Sequence, residues 1–439
     1  MLMRTGVDVA SLRRREFTRL DATGSVYLDY AGAALYPESL VRRDTRRLTR
    51  RVLGNPHSEN GPSLASTESL EDARSLTLRF FDADPAEYEV VFTANASGAT
   101  RILAEAFPFA DGSRLVLTAD NHNSVNGLRL SARRRRAAVH YVPLDRDLRA
   151  LDPHSWLLPA AQPSLFAFPA QSNFSGVRHP LRWVKEAQAL GYHVLLDAAA
   201  YVPSSVLSLT EVPADFVAIS FYKMFGYPTG VGALLVRREA LAMLHRTYFG
   251  GGTVQFVSVQ NDDLYRLREG GAAFEDGTPH FLAMPAVCDG LRWMRRVGLP
   301  SIQQHVASLT SGLLRRFQSL GDCVRLYGPA DARDRGGVVA FNLFSGGRAL
   351  NYETVEAAAR RRGVAIRGGC FCNPGAAEYA FGWSAANARA CLEGEFSVAR
   401  FRDCVDGYPV GALRASLGVA TSEADLDRLM ELVSEPTAS

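Results

Sequence analysis

The chain has 439 residues, of which 47% are hydrophobic and 22% charged, and its formal net charge is +3. A chain of this length can bury a large core and divide into two or three domains, and its composition is that of an ordinary globular protein. The small net charge gives no support to a nucleic-acid or membrane partner. No apolar run is long enough to span a membrane, and residues 1–20 lack the apolar segment of a secretory signal.

The cysteines are few and lack the paired spacing of zinc sites; they are Cys288, Cys323, Cys370, Cys372, Cys391 and Cys404. We therefore expect no metal site, free thiols and a reducing, cytoplasmic location.

The N-terminal part of the chain is rich in arginine. Residues 1–25 predict a polar N-terminal helix or arm, and residues 38–53 predict a basic amphipathic helix. The arginines of that helix could form a nucleic-acid patch, but no aromatic residues interleave with them. A solvated helix face is therefore the favoured interpretation.

Apolar strand-like runs alternate with helices or long turns from residue 89 to residue 236. This alternation predicts an α/β domain with a mainly parallel sheet, which binds ligands at the carboxyl ends of its strands. The side chains predicted at those ends are Thr93, His122, Asn173, Asp197, Ser220 and Lys223.

Lysine is nearly absent. Lys185 and Lys223 are the only two among 49 Lys and Arg residues, so 47 are arginines. Arginine cannot act as an amine nucleophile, so a lysine retained at a strand end suggests Schiff-base chemistry at Lys223. Chance survival in an arginine-rich chain is the alternative, and Lys185 is predicted on the solvent side of a helix.

Pyridoxal phosphate (PLP) needs an attachment lysine, a carboxylate for its pyridine nitrogen, a flat side chain over its ring and a phosphate cradle. Lys223, Asp197 and His122 match the first three requirements. The turn Ser97–Thr100, which follows a strand and opens a helix, matches the fourth. Each feature alone has a simpler explanation, such as a helix N-cap at Asp197, but together they predict a PLP site.

The chain resembles the class V aminotransferase superfamily, which includes cysteine desulfurases, and is most similar to the aminotransferase-like domain of molybdenum cofactor sulfurases. The motifs that carry the resemblance span residues 27–418 and are Tyr27–Ala34, Ser97–Thr100, Asp120–Ser124, Leu196–Ala200, Ser220–Gly230, Phe274–Thr278, Gly369–Ala376 and Gly411–Arg414. The resemblance implies the α/β fold type I of PLP-dependent transferases. A large domain with a mainly parallel, seven-stranded sheet is expected over residues 26–300, and a smaller C-terminal α/β domain over residues 301–439.

The same resemblance implies roles for individual residues. Lys223 is expected to form the Schiff base, Asp197 to pair with the pyridinium and His122 to stack on the ring. The residues expected at the phosphate are Ser97, Gly98, Ala99, Thr100 and Ser220, with Thr278 reaching the phosphate of the neighbouring subunit in a homodimer with shared active sites. Asn173 is expected beside the substrate or the phenolic oxygen of PLP, and Arg414 at the substrate carboxylate.

The implied activity is that of an L-cysteine desulfurase, in which a loop thiolate takes the substrate sulfur as a persulfide and alanine is released. Cys372 is the first candidate for this thiol and Cys370 the second, because residues i and i+2 face the same side of an extended loop. Arg367 would favour the thiolate. Burial of both cysteines as small hydrophobes is the alternative.

The chain departs from the family pattern at a few positions. Ala377 stands where sulfurases commonly carry another cysteine, while Ala200 and Tyr222 replace a glutamine and a histidine of general desulfurases. Eukaryotic sulfurases also carry a further sulfur-delivery domain, so we expect a separate sulfur-acceptor protein. The alternative functions are a PLP-dependent lyase, epimerase or aminotransferase acting on another amino acid, and a non-enzymatic scaffold or nucleic-acid binder.

Overall fold

The computed structural model describes residues 8–383, 400–401, 404 and 409–435. The helices are α1 (Val9–Glu16), α2 (Thr18–Thr23), α3 (Glu38–Leu48), α4 (Gly61–Phe80), α5 (Ala96–Ala106), α6 (Asn123–Asn126), α7 (Leu128–Arg134), α8 (Trp183–Ala189), α9 (Phe221–Phe225), α10 (Arg238–Ala242), α11 (Met284–Val297), α12 (Leu299–Gln318), α13 (Tyr352–Arg361), α14 (Pro374–Phe381) and α15 (Glu423–Ser434). The strands are β1 (Val26–Tyr27), β2 (Tyr88–Thr93), β3 (Arg114–Thr118), β4 (Ala138–Val142), β5 (Ser164–Pro169), β6 (Tyr192–Asp197), β7 (Phe216–Ser220), β8 (Gly232–Arg237), β9 (Val254–Val257), β10 (Tyr265–Leu267), β11 (Val324–Tyr327), β12 (Val338–Ser345), β13 (Arg348–Ala349), β14 (Val364–Ala365), β15 (Arg367–Gly369) and β16 (Ala412–Ser416).

The largest sheet has seven strands in the order β2-β8-β7-β6-β5-β3-β4. Only β8 runs antiparallel to its neighbours, which confirms the mainly parallel sheet that the alternating pattern predicts. Because β2 and β7 both run opposite to β8, the carboxyl ends of β2, β3, β5, β6 and β7 share one edge. Ligands of α/β proteins bind at that edge, which we call the carboxyl edge.

The C-terminal part of the chain forms a second sheet in the order β11-β12-β16-β15, with β13 added on β12. Every neighbouring pair in this sheet is antiparallel. Helices α12 and α13 pack on it. Strand β15 leads into the loop that carries Cys370 and Cys372, and β16 carries Arg414.

The N-terminal segment is packed rather than free. Leu12 of α1, Phe17 between the two helices and Leu20 of α2 are buried. Arg13 donates to the Asp425 carboxylate at 2.5 Å, and β1 pairs in parallel with β14. The segment predicted as an arm therefore joins the C-terminal half of the molecule.

The arginines of α3 are more than a solvated face, in contrast to the prediction. Arg43 and Arg47 both bind the Asp289 carboxylate of α11, which is buried, and Arg47 also binds Asp44. The second Asp44 oxygen accepts a hydrogen bond from the Tyr227 hydroxyl at 2.5 Å. Buried carboxylates need paired positive charges, so these arginines fix the loop that follows Lys223.

Cys288, Cys323, Cys370 and Cys372 carry free thiols. Cys404 is disulfide-bonded, which corrects the expectation of free thiols throughout, and Cys391 lies outside the described residues. In the described part of the chain, no helix is both long and apolar enough to cross a lipid bilayer, and no cluster of His, Cys, Asp and Glu side chains is arranged to hold a metal ion.

The contact between α11 and α9 leads to a stability prediction. A methyl group at Gly290 would lie 2.2 Å from the Phe225 ring, which is fully buried. We expect Gly290→Ala to reduce the free energy of unfolding by about 1–3 kcal/mol through overpacking. Gly312→Ala on α12 is the control, because the nearest atom lies 3.8 Å away. It should raise stability by up to about 1 kcal/mol through helix propensity. Equal effects in urea unfolding would contradict this packing argument.

Candidate active site at the carboxyl edge

Lys223 lies on the short helix α9, which begins directly after β7. The side chain is half-buried, and within the described residues its amine has no hydrogen-bond or ion-pair partner. Burial lowers the pKa of the Lys223 amine below its ordinary value, and the Asp197 carboxylate opposes part of that shift. A lowered pKa raises the fraction of neutral amine, which is the nucleophilic form.

Asp197 is the last residue of β6, the strand next to β7. Its Oδ1 accepts a hydrogen bond from Ala199 N–H at 3.0 Å, which fixes the carboxylate at the carboxyl edge. The carboxylate acts electrostatically on both Lys223 and His122. The structure therefore brings together the three side chains that the sequence predicts around a PLP ring.

His122 follows β3 and caps the N-terminus of α6. Its Nδ1 accepts a hydrogen bond from Ser124 N–H at 3.1 Å. A ring nitrogen that accepts carries no proton, so the proton of the neutral ring lies on Nε2. Burial lowers the pKa of the His122 ring, and Asp197 opposes the shift. The ring is therefore mainly neutral at pH 7.

The turn between β2 and α5 is tighter than predicted. Asn95 caps α5, so its side chain accepts from Gly98 N–H at 3.0 Å and its carbonyl accepts from Ala99 N–H at 3.1 Å. The Thr100 hydroxyl is buried and donates to the Ala96 carbonyl at 3.0 Å. The donors of Gly98, Ala99 and Thr100 are thus engaged within the turn, and the phosphate-binding role of these residues stays a prediction.

Three groups around this turn keep donor capacity. Ser97 N–H has no acceptor within the described residues. The Ser97 hydroxyl lies 2.5 Å from that of Ser124, and the Ser220 hydroxyl accepts from Ala96 N–H at 2.9 Å, which leaves its own proton free to donate. A helix N-terminus with such donors attracts an anion.

The loop from Cys370 to Asn373, here called the Cys loop, is tied to the large sheet by buried hydrogen bonds. The Asn373 side chain donates to Asn173 Oδ1 at 2.9 Å and to the Asp120 carbonyl at 2.6 Å. Asn173 Nδ2 donates to the Phe371 carbonyl at 2.7 Å, and Asn123 N–H donates to the Cys372 carbonyl at 2.8 Å. These bonds place the Cys loop against the segment that carries His122.

The two thiols of the Cys loop have different surroundings. Phe371 and Cys372 both have left-handed backbones, with φ of 55° and 56°, so the loop is not extended. Cys370 is half-buried and its thiol donates to the Val410 carbonyl at 3.5 Å. Burial raises the pKa of the Cys370 thiol to about 11. Cys372 is exposed, and its sulfur interacts electrostatically with Lys223, Arg367 and Arg414.

Arg414 is buried on β16, where its guanidinium contacts both halves of the molecule. It donates to the Asn173 carbonyl at 3.0 Å and to Asp29 Oδ1 at 2.8 Å, and it lies 4.6 Å from the centre of the Phe371 ring. Its Nε–H has no partner within the described residues. A buried unpaired donor costs about 1–3 kcal/mol, which an anionic ligand would recover.

Thr278 lies apart from this cluster in the contacts of a single chain. It is exposed, and its hydroxyl accepts from Asn55 Nδ2 at 3.3 Å. The adjacent Gly277 N–H donates to the Gly251 carbonyl at 2.7 Å. The role predicted for Thr278 involves a second subunit and stays a prediction.

Several residues that shape the site were not singled out from the sequence. Asn373 and Asn95 are helix N-caps, and an asparagine just before a helix, followed by proline in the case of Asn373, is a signal that could have found them. Asp29 lies within the Tyr27–Ala34 motif, but its arginine partners are more than 300 residues away along the chain. No local pattern predicts such a contact.

Comparisons with known proteins identify the family of the chain. The model of the family Aminotransferase class-V matches residues 26–429. Molybdenum cofactor sulfurase of Bos taurus is 37% identical over 96% of this chain, which spans about half (51%) of that protein's length.

Solved structures share the fold. The apo structure of a cysteine desulfurase from Thermococcus onnurineus NA1 has a TM-score of 0.82 at 24% identity and covers 97% of both chains. A mutant of the cystine C–S lyase C-DES, with glycine covalently linked to its PLP cofactor, has a TM-score of 0.74 at 18% identity, over 96% of this chain and 99% of that chain. The chain belongs to the class V aminotransferase family.

Proposed function

We propose that the chain is a PLP-dependent L-cysteine desulfurase that keeps the substrate sulfur on Cys372 as a persulfide and releases L-alanine. The observation that carries the proposal is the position of Cys372. It is an exposed thiol on a loop that hydrogen-bonds directly to the His122 segment, and it interacts electrostatically with Lys223. A PLP enzyme that makes no persulfide does not need a thiol there.

The donor set at the carboxyl edge fits PLP. The Lys223 amine has no partner among the described residues and its pKa is lowered, which suits covalent attachment. Asp197 supplies the carboxylate for a pyridinium. The neutral His122 ring supplies a flat face. Ser97 N–H with the hydroxyls of Ser97 and Ser220 would hold the phosphate. Relatives of the fold also carry the cofactor, as the PLP-linked structure of C-DES illustrates.

PLP, when bound, supplies the electron sink that loosens the bond between the substrate Cβ and its sulfur. The Cys372 thiolate attacks that sulfur, a new S–S bond forms, and the electron pair of the broken C–S bond stays with the substrate carbon. The amine of Lys223 removes and returns protons at the substrate, which leaves as alanine. Arg414 binds the substrate carboxylate through donors that Asn173 and Asp29 leave free.

A C–S lyase is the second candidate, because C-DES shares the fold and was solved in complex with its product, cysteine persulfide. A lyase would release pyruvate and ammonia rather than alanine and would not need Cys372. The desulfurase is favoured because the Cys loop is held at the site by several buried hydrogen bonds.

We also propose that the sulfur passes to a cofactor or metabolite through an acceptor protein, since Cys372 is exposed and the relatives include molybdenum cofactor sulfurases. A homodimer is proposed as well, with Thr278 reaching the phosphate of the second subunit. Exposed apolar side chains support it in the segment 248–259, where the Gly251 carbonyl accepts a hydrogen bond from Gly277 N–H. Tyr248, Phe256 and Val259 are 65%, 54% and 95% exposed.

Replacement of Lys223 tests cofactor attachment. Lys223→Ala should abolish the visible absorbance of the bound cofactor, because no other described lysine lies at the site. Lys185→Ala is the matched control, since Lys185 is the second lysine and is exposed on α8. Its spectrum should equal that of the wild type. Equal spectra for all three proteins would rule out Lys223 as the attachment residue.

The products and the thiol variants test the reaction. With L-cysteine and a reductant, sulfide and alanine should appear in equal amounts, and Cys372→Ser should lower the rate by at least about 100-fold, because the nucleophile is gone. Cys370→Ser should retain most activity, and Cys323→Ser is a control for an exposed cysteine outside the site. Pyruvate and ammonia as products would establish the lyase instead. Full activity of Cys372→Ser would point to Cys370 as the thiol or to the lyase.

Alkylation as a function of pH tests the difference between the two loop thiols. Burial raises the pKa of Cys370 and Cys288 to about 11, so both thiols stay protonated at pH 8 and gain reactivity only as the pH rises toward that value. Iodoacetamide at pH 8 should therefore modify the exposed Cys372 and Cys323 first. Tandem mass spectrometry of the peptide that holds both loop cysteines gives the site. Preferred modification of Cys370 would contradict the geometry.

A further inference from the structure

Asp29 lies between two arginines that face each other across neighbouring strands. Arg367 of β15 and Arg414 of β16 are directly opposite in the antiparallel register. Like charges at such positions repel and destabilise a sheet. Asp29 Oδ1 accepts from Arg414 at 2.8 Å, and Oδ2 accepts from Arg367 at 2.8 and 3.0 Å. One carboxylate therefore bridges the cross-strand arginine pair and offsets one of its two positive charges.

The position of the carboxylate is fixed by its own chain segment. Ser416 N–H donates to the Leu28 carbonyl at 2.7 Å, and Asp29 forms a parallel bridge to Ser416, two residues beyond Arg414 on the same strand. The turn at Gly32 closes over the carboxylate so tightly that a Cβ there would lie 2.5 Å from Asp29 Oδ2. Asp29 thus has little freedom to follow a moving arginine.

Arg414 depends on Asp29 more than Arg367 does. The Arg414 side chain is 2% exposed and has Asp29 as its carboxylate partner among the described residues, whereas the Arg367 side chain is 48% exposed. A buried charge without a partner is costly, while an exposed one is hydrated. The carboxylate therefore decides how the buried guanidinium is oriented.

We propose that Asp29 is a positioning residue, which holds Arg414 so that its unpartnered Nε–H edge receives the carboxylate of the amino-acid substrate. The inference rests on the proposed function through the role of Arg414. It adds that affinity for the substrate carboxylate requires a second carboxylate, that of Asp29, at Nη2 of the same guanidinium. Asp29 shares its negative charge between Arg367 and Arg414. It therefore orients Arg414 without cancelling the attraction of Arg414 for an anion.

The test compares two ligands of equal shape in the PLP-loaded enzyme. L-alanine carries the carboxylate, and L-alaninamide replaces it with a neutral amide. Binding is followed by the change in cofactor absorbance. Asp29→Asn should raise the dissociation constant of L-alanine on the order of tenfold and that of L-alaninamide less than about twofold, because only the charged ligand uses an aligned Arg414. The KM for L-cysteine should rise in parallel, with a smaller change in kcat.

Two further variants separate positioning from general folding effects. Asp29→Glu keeps the charge and should recover part of the L-alanine affinity. Asp331→Asn is the control, because Asp331 is an exposed aspartate paired with Arg333, and it should change neither dissociation constant. Urea unfolding of each variant without PLP, read by intrinsic fluorescence, shows whether the fold is intact.

The inference is overturned if Asp29→Asn binds L-alanine as well as or better than the wild type, or if both ligands weaken equally. It is also overturned if the wild type does not prefer L-alanine over L-alaninamide. Failure of the proposed function gives a different result: the wild type would release no sulfide from L-cysteine, and the comparison of the two ligands would still decide the role of Asp29.

Discussion

A buried polar junction between the two sheets makes the two halves of the chain into one site. Asn173 follows β5 of the large sheet, and it exchanges hydrogen bonds with Phe371, Asn373 and Arg414 of the C-terminal part. A polar group that is buried without a hydrogen-bond partner is costly in a low-dielectric interior. Each hydrogen-bonding group of this junction therefore strongly prefers its partner. The Cys loop and Arg414 are consequently held in register with the strand ends that carry Lys223, Asp197 and His122.

The charges at the site follow from this junction. Lys223, Arg367 and Arg414 all act on Cys372, while Asp197 and Asp29 are the carboxylates that offset them. Each carboxylate has a separate location: Asp197 lies at the end of a parallel strand beside Lys223, and Asp29 lies behind the arginine pair. The proposed Schiff-base lysine and the proposed carboxylate-binding arginine therefore stand in a fixed arrangement, which shortens the search for a reactive geometry.

The sequence predicted the large sheet and the strand-end residues well for a physical reason. A parallel sheet places all carboxyl ends of its strands at one edge. The hydrophobic periodicity and the turn residues of the sequence are therefore enough to predict that Lys223, Asp197 and His122 lie there. The sequence was less informative where the structure depends on which acceptor takes a given backbone N–H group. The N-cap Asn95 takes the N–H groups of Gly98 and Ala99, and a pattern of small residues does not show which donors remain free. The role of Asp29 was not predicted, because the arginine partners of its carboxylate lie more than 300 residues away along the chain.

The difference between the two loop cysteines could not be predicted from the sequence either. At positions i and i+2 they would lie on one side of an extended chain and would be chemically equivalent. The left-handed backbones of Phe371 and Cys372 remove that equivalence, because they curl the chain between the two thiols. Left-handed conformations are uncommon for residues other than glycine and are kept only where surrounding contacts fix them. Here the Asn173 bond to the Phe371 carbonyl and the Asn123 bond to the Cys372 carbonyl are those contacts. The conformation that exposes one thiol and buries the other is thus set by the large sheet, some 200 residues away along the chain.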